Sequence, residues 1–188
     1  IFYKSTNAFF NCKSNLIKKK FKESLKIAES ATYNLEGDAL YYENKFEEAA
    51  KKYQQALNTC PSTKVESRNI FRKNMADCFV CLGGQFHDEN KYEEALKFYK
   101  KAHQKLIECY ESNKTYRDVI KNTATMIYNC EGNYLYHQGK YNEAVNKFLQ
   151  ALDTCPIDRV EDIETFKNNI EECYFELENQ CHNEKIVE

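Results

Sequence analysis

Apolar positions recur along this chain at spacings of three and four, the period of a helix buried along one side. Between residues 44 and 57 they fall at Phe46, Ala49, Ala50, Tyr53, Ala56 and Leu57. The same spacing runs through Val65, Phe71, Met75, Phe79 and Leu82, and again through Val160, Ile163, Phe166, Ile170, Tyr174 and Leu177. A single hairpin of such helices cannot bury its apolar side, so the pattern predicts hairpins that stack on one another.

The pattern also repeats in register. Sliding the chain by 95 residues aligns Ser30–Glu93 with Thr125–Glu188 without a gap, and 26 of the 64 positions are identical. The phrase QALNTCP, Gln55 to Pro61, returns as QALDTCP, Gln150 to Pro156. A finer period lies inside each copy. NKFEEAAKKYQQAL at 44–57 is echoed by NKYEEALKFYKKAH at 90–103 and GKYNEAVNKFLQAL at 139–152, starts that are 46 and 49 residues apart. The chain therefore reads as a tandem copy of two units of about 47 residues each.

Within each unit the residues resemble the tetratricopeptide repeat (TPR) family. Tyr33 is followed by Gly37, Leu40, Ala49, Tyr53, Ala56 and Pro61. The second unit matches with Phe79, Gly83, Phe86, Ala95, Tyr99 and Ala102, but has Ile107 in place of the proline. The third restores the set as Tyr128, Gly132, Leu135, Ala144, Phe148, Ala151 and Pro156. A fourth begins with Tyr174 and Leu177 and has Glu178 in place of the glycine. Small residues let the helices of a hairpin approach, and aromatics fill the space beside them. The departure is length, since a TPR unit has about 34 residues and 12 to 15 more separate these units. The apolar spacing continues through the additional residues, so they extend the first helix of the next unit to roughly 30 Å or more. Capping boxes mark the starts at Thr63 with Glu66, Thr115 with Asp118 and Asp158 with Glu161.

The resemblance implies an all-α fold, an α-solenoid of stacked antiparallel helix hairpins forming a TPR-like superhelix. Hairpins are expected at about 14–61, 62–110 and 111–156, with a partial unit at 157–188. Residues 1–13 loosely echo FYKKAHQKLIEC at 98–109 and are expected to be the second helix of an earlier hairpin. The lack of an initial Met suggests a fragment of a longer array.

Charge and composition narrow the partners. With 27 basic and 29 acidic residues there is no basic excess to support a nucleic-acid or membrane surface. Lys18, Lys19 and Lys20 read as a solvated helix face. No apolar run reaches the ~20 residues of a membrane span, and no signal peptide opens the chain. Five glycines and two prolines suit helices with few loops. The nine cysteines read as reduced packing residues, which places the chain in the reducing cytoplasm.

Little in the sequence carries chemistry. Cys78 and Cys81 form a lone CxxC inside a helical pattern, so packing is a better account than metal or redox work. No phosphate loop, nucleophile elbow or HExxH motif occurs, and no catalytic residue, cofactor or metal ligand is assigned. His103 has no counterpart in the repeat and reads as a surface residue.

TPR arrays hold peptides on the concave face lined by the first helix of each hairpin. Carried onto this chain, the inward sites are Asn34, Asp38, Tyr41 and Tyr42 in the first unit, and Val80, Gly84, His87 and Asp88 in the second. The third unit supplies Asn129, Asn133, Tyr136 and His137, and the last Phe175, Asn179 and His182. Asparagine donates to and accepts from a peptide backbone, and tyrosine adds apolar area with a polar tip. Lys and Arg are missing from these sites, which argues against capture of an acidic chaperone C-terminal tail and for a neutral or basic segment. The expected function is a protein-binding scaffold or adaptor. The alternative is a structural segment of a longer solenoid in a cytoskeletal, ciliary or cell-cycle assembly. That alternative is motivated by the apolar end at Tyr174, Leu177, Cys181, Ile186 and Val187, which predicts self-association.

Overall fold

The computed structural model describes the backbone of residues 2–110 and 114–187 and the side chains of 13–109 and 115–182. Among the described residues every regular element is a helix. Contacts divide the chain into two units, Ile1–Asn74 and Met75–Glu188.

The first unit holds α1 (Phe2–Tyr42), α2 (Phe46–Thr59) and the start of α3 (Val65–Asp88). α1 runs unbroken through residues 13 and 14, with no turn where the sequence echo places the end of an earlier hairpin. The side chains of 1–12 lie outside the described residues. α1 and α2 pack as an antiparallel hairpin, and all six apolar positions expected on α2, from Phe46 to Leu57, are buried.

The second unit continues from Met75 along α3 into α4 (Tyr92–Tyr110), α5 (Arg117–His137), α6 (Tyr141–Thr154) and α7 (Val160–Val187). Here α4 packs on α5, α5 on α6 and α6 on α7, each helix against the next, as in an α-solenoid of hairpins. Its core is a succession of small clusters. Ala76, Ala102 and Leu106 form one, Tyr92, Ala95, Tyr99 and Cys130 another, and Ala144, Val145, Phe148 and Cys173 a third.

Each hairpin closes by the same short turn. Asn44, Asn90 and Gly139 have φ of 60°, 59° and 72°. Their N–H groups reach back to the carbonyls of Tyr41, His87 and Tyr136, and those of Lys45, Lys91 and Lys140 to Leu40, Phe86 and Leu135. This paired pattern satisfies carbonyls left open at a helix end, and the left-handed residue it requires is tolerated by Gly and Asn.

Proline sets the other boundary. It forces its predecessor out of the helical region, and Cys60 and Cys155 have ψ of 130° and 133°. α2 and α6 accordingly stop after 14 residues, whereas α4, with Ile107 at that place, continues for 19.

The expected caps are corrected in all three places, since Lys64, Tyr116 and Arg159, and not Thr63, Thr115 and Asp158, stand immediately before the first helical residue. Thr115 sits within a 3-10 turn, Lys114–Tyr116, which moves the start of α5 one residue on and makes Tyr116 the N-cap, whose side chain does not cap the helix. The Thr63 hydroxyl instead donates to Glu23 Oε1 of α1 at 3.1 Å. No helix among the described residues is long and apolar enough to cross a membrane.

Candidate interaction face on the first helices of the hairpins

In the first unit the sequence-predicted residues of α1 are drawn into the fold. Asp38 accepts the Tyr53 hydroxyl of α2 at 2.7 Å on one oxygen and the Asn34 amide at 3.0 Å on the other. Asn34 Oδ1 in turn accepts Asn74 Nδ2 of α3 at 3.0 Å. This chain of bonds fastens three helices together. Tyr41 meets Phe46 edge to face at 5.3 Å, and Tyr42 stands exposed.

In the second unit the first helices lie side by side. Asn133 Nδ2 of α5, a donor, is 2.9 Å from His87 Nε2 of α3, so that nitrogen accepts in the neutral ring. One turn on, His137 stacks on Tyr92 of α4, with ring centres 5.2 Å apart and its Nε2 3.2 Å from the Tyr92 hydroxyl. Tyr136 packs against Tyr141, and its hydroxyl pKa is raised by burial and by Glu172 and Glu176 of α7. α3, α5 and α7 therefore share one face, on which His137, Phe175 and His182 are exposed and Asn179 is half-buried.

Two expected sites are not open on that face. Val80 packs against Ala76, Ala102 and Leu106. The Asn129 carbonyl oxygen is buried with no hydrogen-bond partner. Its repeat counterpart Asn34 shows what is missing, a donor such as Asn74 supplies.

Sequence reasoning missed Tyr92. It sits at the start of α4, in the position of Phe46 and Tyr141, and reads as core, yet its hydroxyl also donates to Asn90 Oδ1 at 2.7 Å. With Asn90, Glu93, Tyr134 and His137 it borders a depression of about 340 Å³. His103 is likewise no plain surface residue, since its Nδ1 is 2.9 Å from Thr123 Oγ1 and burial lowers its pKa.

Most of the described thiols lie in packing positions, and Cys181 is exposed. Cys78 is fully buried, as are Cys130 and Cys173, whose thiols are pushed up to about 12 and about 11 chiefly by burial. Such groups hold little thiolate near neutral pH and are poor nucleophiles. Among the described residues no group of three or more His, Cys, Asp or Glu is placed to hold a metal.

Comparison with known proteins gives a family and distant folds. The family model described as "Uncharacterized protein conserved in bacteria (DUF2225)" matches residues 2–177. A crystal structure of a TPR-like protein from Chlorobium tepidum is 13% identical with a TM-score of 0.43, covering 80% of this chain and 98% of that one. The C-terminal TPR-containing domain of a Plasmodium falciparum protein described as FK506-binding is 16% identical with a TM-score of 0.41, covering 85% and 95%. No curated protein sequence matches the chain.

Proposed function

The chain belongs to the DUF2225 family, and from the face built by its first helices we propose that it is a protein-interaction module that holds a segment of another protein. The observation that carries this is the His87–Asn133 bond, which brings α3 and α5 side by side so that residues one turn apart on neighbouring helices share one surface. That surface combines exposed rings at His137 and Phe175 with the amide of Asn179, the mixture that grips an extended backbone and packs its side chains.

In this reading the hairpins at about 14–61, 62–110 and 111–156 are units of about 47 residues, two of which were duplicated together, and 157–188 opens a further unit. The partner segment is neutral or basic. Glu172 and Glu176 beside Tyr136 favour positive charge at that end of the face. No catalytic step belongs to the proposal, and the place of action is the cytoplasm.

A peptide array of neutral, basic and acidic 12-residue segments, probed with the purified chain, tests the reading. Selected neutral or basic peptides should lose at least tenfold in affinity on Phe175→Ala with His182→Ala, two exposed residues of the face, while the thermal midpoint stays put. Equal binding by the double variant, or preference for acidic peptides, would overturn it.

A further inference from the structure

Two surfaces, one of them bordering that face, carry opposite charge around exposed apolar side chains. The first lies on α1. Between residues 13 and 29 only Glu23 and Ile27 are half-buried, and every other position is exposed. On the side away from Glu23, Ile17, Phe21, Leu25 and Leu35 form a stripe, with Phe21 71% and Leu35 67% exposed. Steps of four residues place Ile17, Phe21 and Leu25 along one line of the helix, and Leu35 lies ten residues further on. Residues 13–27 also hold six lysines and one glutamate, and Lys18 and Lys20 flank the stripe on its two sides at helical angles.

The second surface lies on α7. Phe166 and Cys173 are buried on one side of this helix. Away from them the helix carries Val160, Tyr174 and Phe175, 65%, 53% and 62% exposed, with Glu164, Glu171 and Glu178 exposed among and beyond them. Across 160–182 there are seven acidic residues and one lysine.

We propose that the α1 stripe of one copy docks on the acidic, aromatic side of α7 of a second copy, so that the chain associates head to tail. The two surfaces complement each other in charge, lysines for carboxylates, and both carry exposed apolar side chains. Charges arranged in this way choose the partner and its register more than they add affinity. The interface joins two different patches, so each new copy leaves one patch of each kind open, and growth continues unless the rotation closes a ring. An anionic lipid surface would satisfy the lysines of α1 but not the matching face of α7. The proposal goes beyond peptide capture, and since Phe175 of that face lies within one turn of Glu171 and Glu178 on α7, charge reversal on α1 is the arm that leaves the peptide face untouched.

Sedimentation of the purified chain over a range of concentrations tests it. The weight-average mass should climb above the 22.2 kDa of one chain and fall back as salt screens the exposed charges. Lys18→Glu with Lys20→Glu and Lys22→Glu should give a monomer, and so should Glu164→Lys with Glu171→Lys and Glu178→Lys. Mixing the two charge-reversed proteins recreates one swapped and one native interface, and association should return. Phe21→Gln with Leu25→Gln, which leaves the charges alone, should also give a monomer of unchanged helicity by circular dichroism. A wild-type chain that remains at 22.2 kDa at every concentration, a mixture that stays monomeric, or a monomer that sediments with phosphatidylserine vesicles would overturn the proposal.

Discussion

Gly132 of α5 lies against the ring of Phe148 of α6 so closely that a Cβ added to the glycine would stand 2.5 Å from Phe148 Cε1. The same relationship joins Gly37 to Tyr53 and Gly83 to Tyr99, each at 2.6 Å. In each hairpin the first helix thus omits a side chain where the second inserts an aromatic ring, and the ring is buried as a result. This close approach is the device that holds each pair together.

Gly132→Ala should therefore be destabilising by about 1–3 kcal/mol, the usual range for forcing a methyl group into a packed interior. Thermal unfolding reads this as a drop of ~2–4 °C per kcal/mol in a chain of this size. Gly84 provides the contrast, because the nearest atom to an added Cβ there is the Tyr99 hydroxyl at 4.0 Å. Gly84→Ala should raise the midpoint, gaining about 0.5–1 kcal/mol from the loss of backbone freedom in the unfolded chain. If both substitutions move the midpoint the same way, the ring-against-glycine account is wrong.

The left-handed turn at Asn44 carries its own test. A non-glycine residue at φ of 60° costs about 1–2 kcal/mol unless its side chain is one that tolerates the region. Asn44→Gly should hold or raise stability in urea, whereas Asn44→Ala should lower it by about 1 kcal/mol. The natural chain already carries glycine at the equivalent Gly139.

Much of this architecture was legible in the sequence, and the reasons are local. Helix spacing marks which residues of α2 are buried, and Pro61 and Pro156 mark where α2 and α6 end, because both depend on neighbours within a few positions. The turns were harder to see, since two of the three left-handed positions are asparagines and not glycines. Thr115 misled because a short 3-10 turn ahead of a helix shifts its start without changing the residue types that resemble a cap. The interaction face was least legible. His87 and Asn133 are 46 positions apart, and their bond depends on how two helices slide along each other. Val80 looked outward by analogy and packs inward because the residues opposite it, Ala102 and Leu106, leave it room.

Asp38 separates a binding role from a structural one. Its two oxygens accept from Tyr53 and Asn34, so Asp38→Ala leaves a hydroxyl and an amide without their acceptor. The expected cost is about 1–3 kcal/mol of stability, seen as a lower denaturation midpoint. A binding residue with no part in the fold would leave the midpoint unchanged, and that outcome would return Asp38 to the list of peptide contacts.

His103 gives the chain an acid-sensitive buried group. Burial lowers its pKa in the folded state, opposed by a backbone hydrogen bond at Ile120, while the unfolded chain titrates near the ordinary value of about 6.5. The unfolded state therefore binds more protons over this interval, and the stability contributed by the neutral ring is fully present above about pH 6.5. It is lost as the pH falls from there through the lowered folded value. The one hydroxyl proton of Thr123 goes to the Ile120 carbonyl at 2.9 Å, so His103 Nδ1 is the donor in its 2.9 Å contact with Thr123 Oγ1, and the acid sensitivity comes from the burial of the ring and not from loss of this bond. Melting curves between pH 8 and pH 5 should show a falling midpoint for the wild-type chain and a shallower fall for His103→Gln, which cannot titrate. Parallel pH profiles for the two proteins would show that protonation of this ring has no part in acid sensitivity.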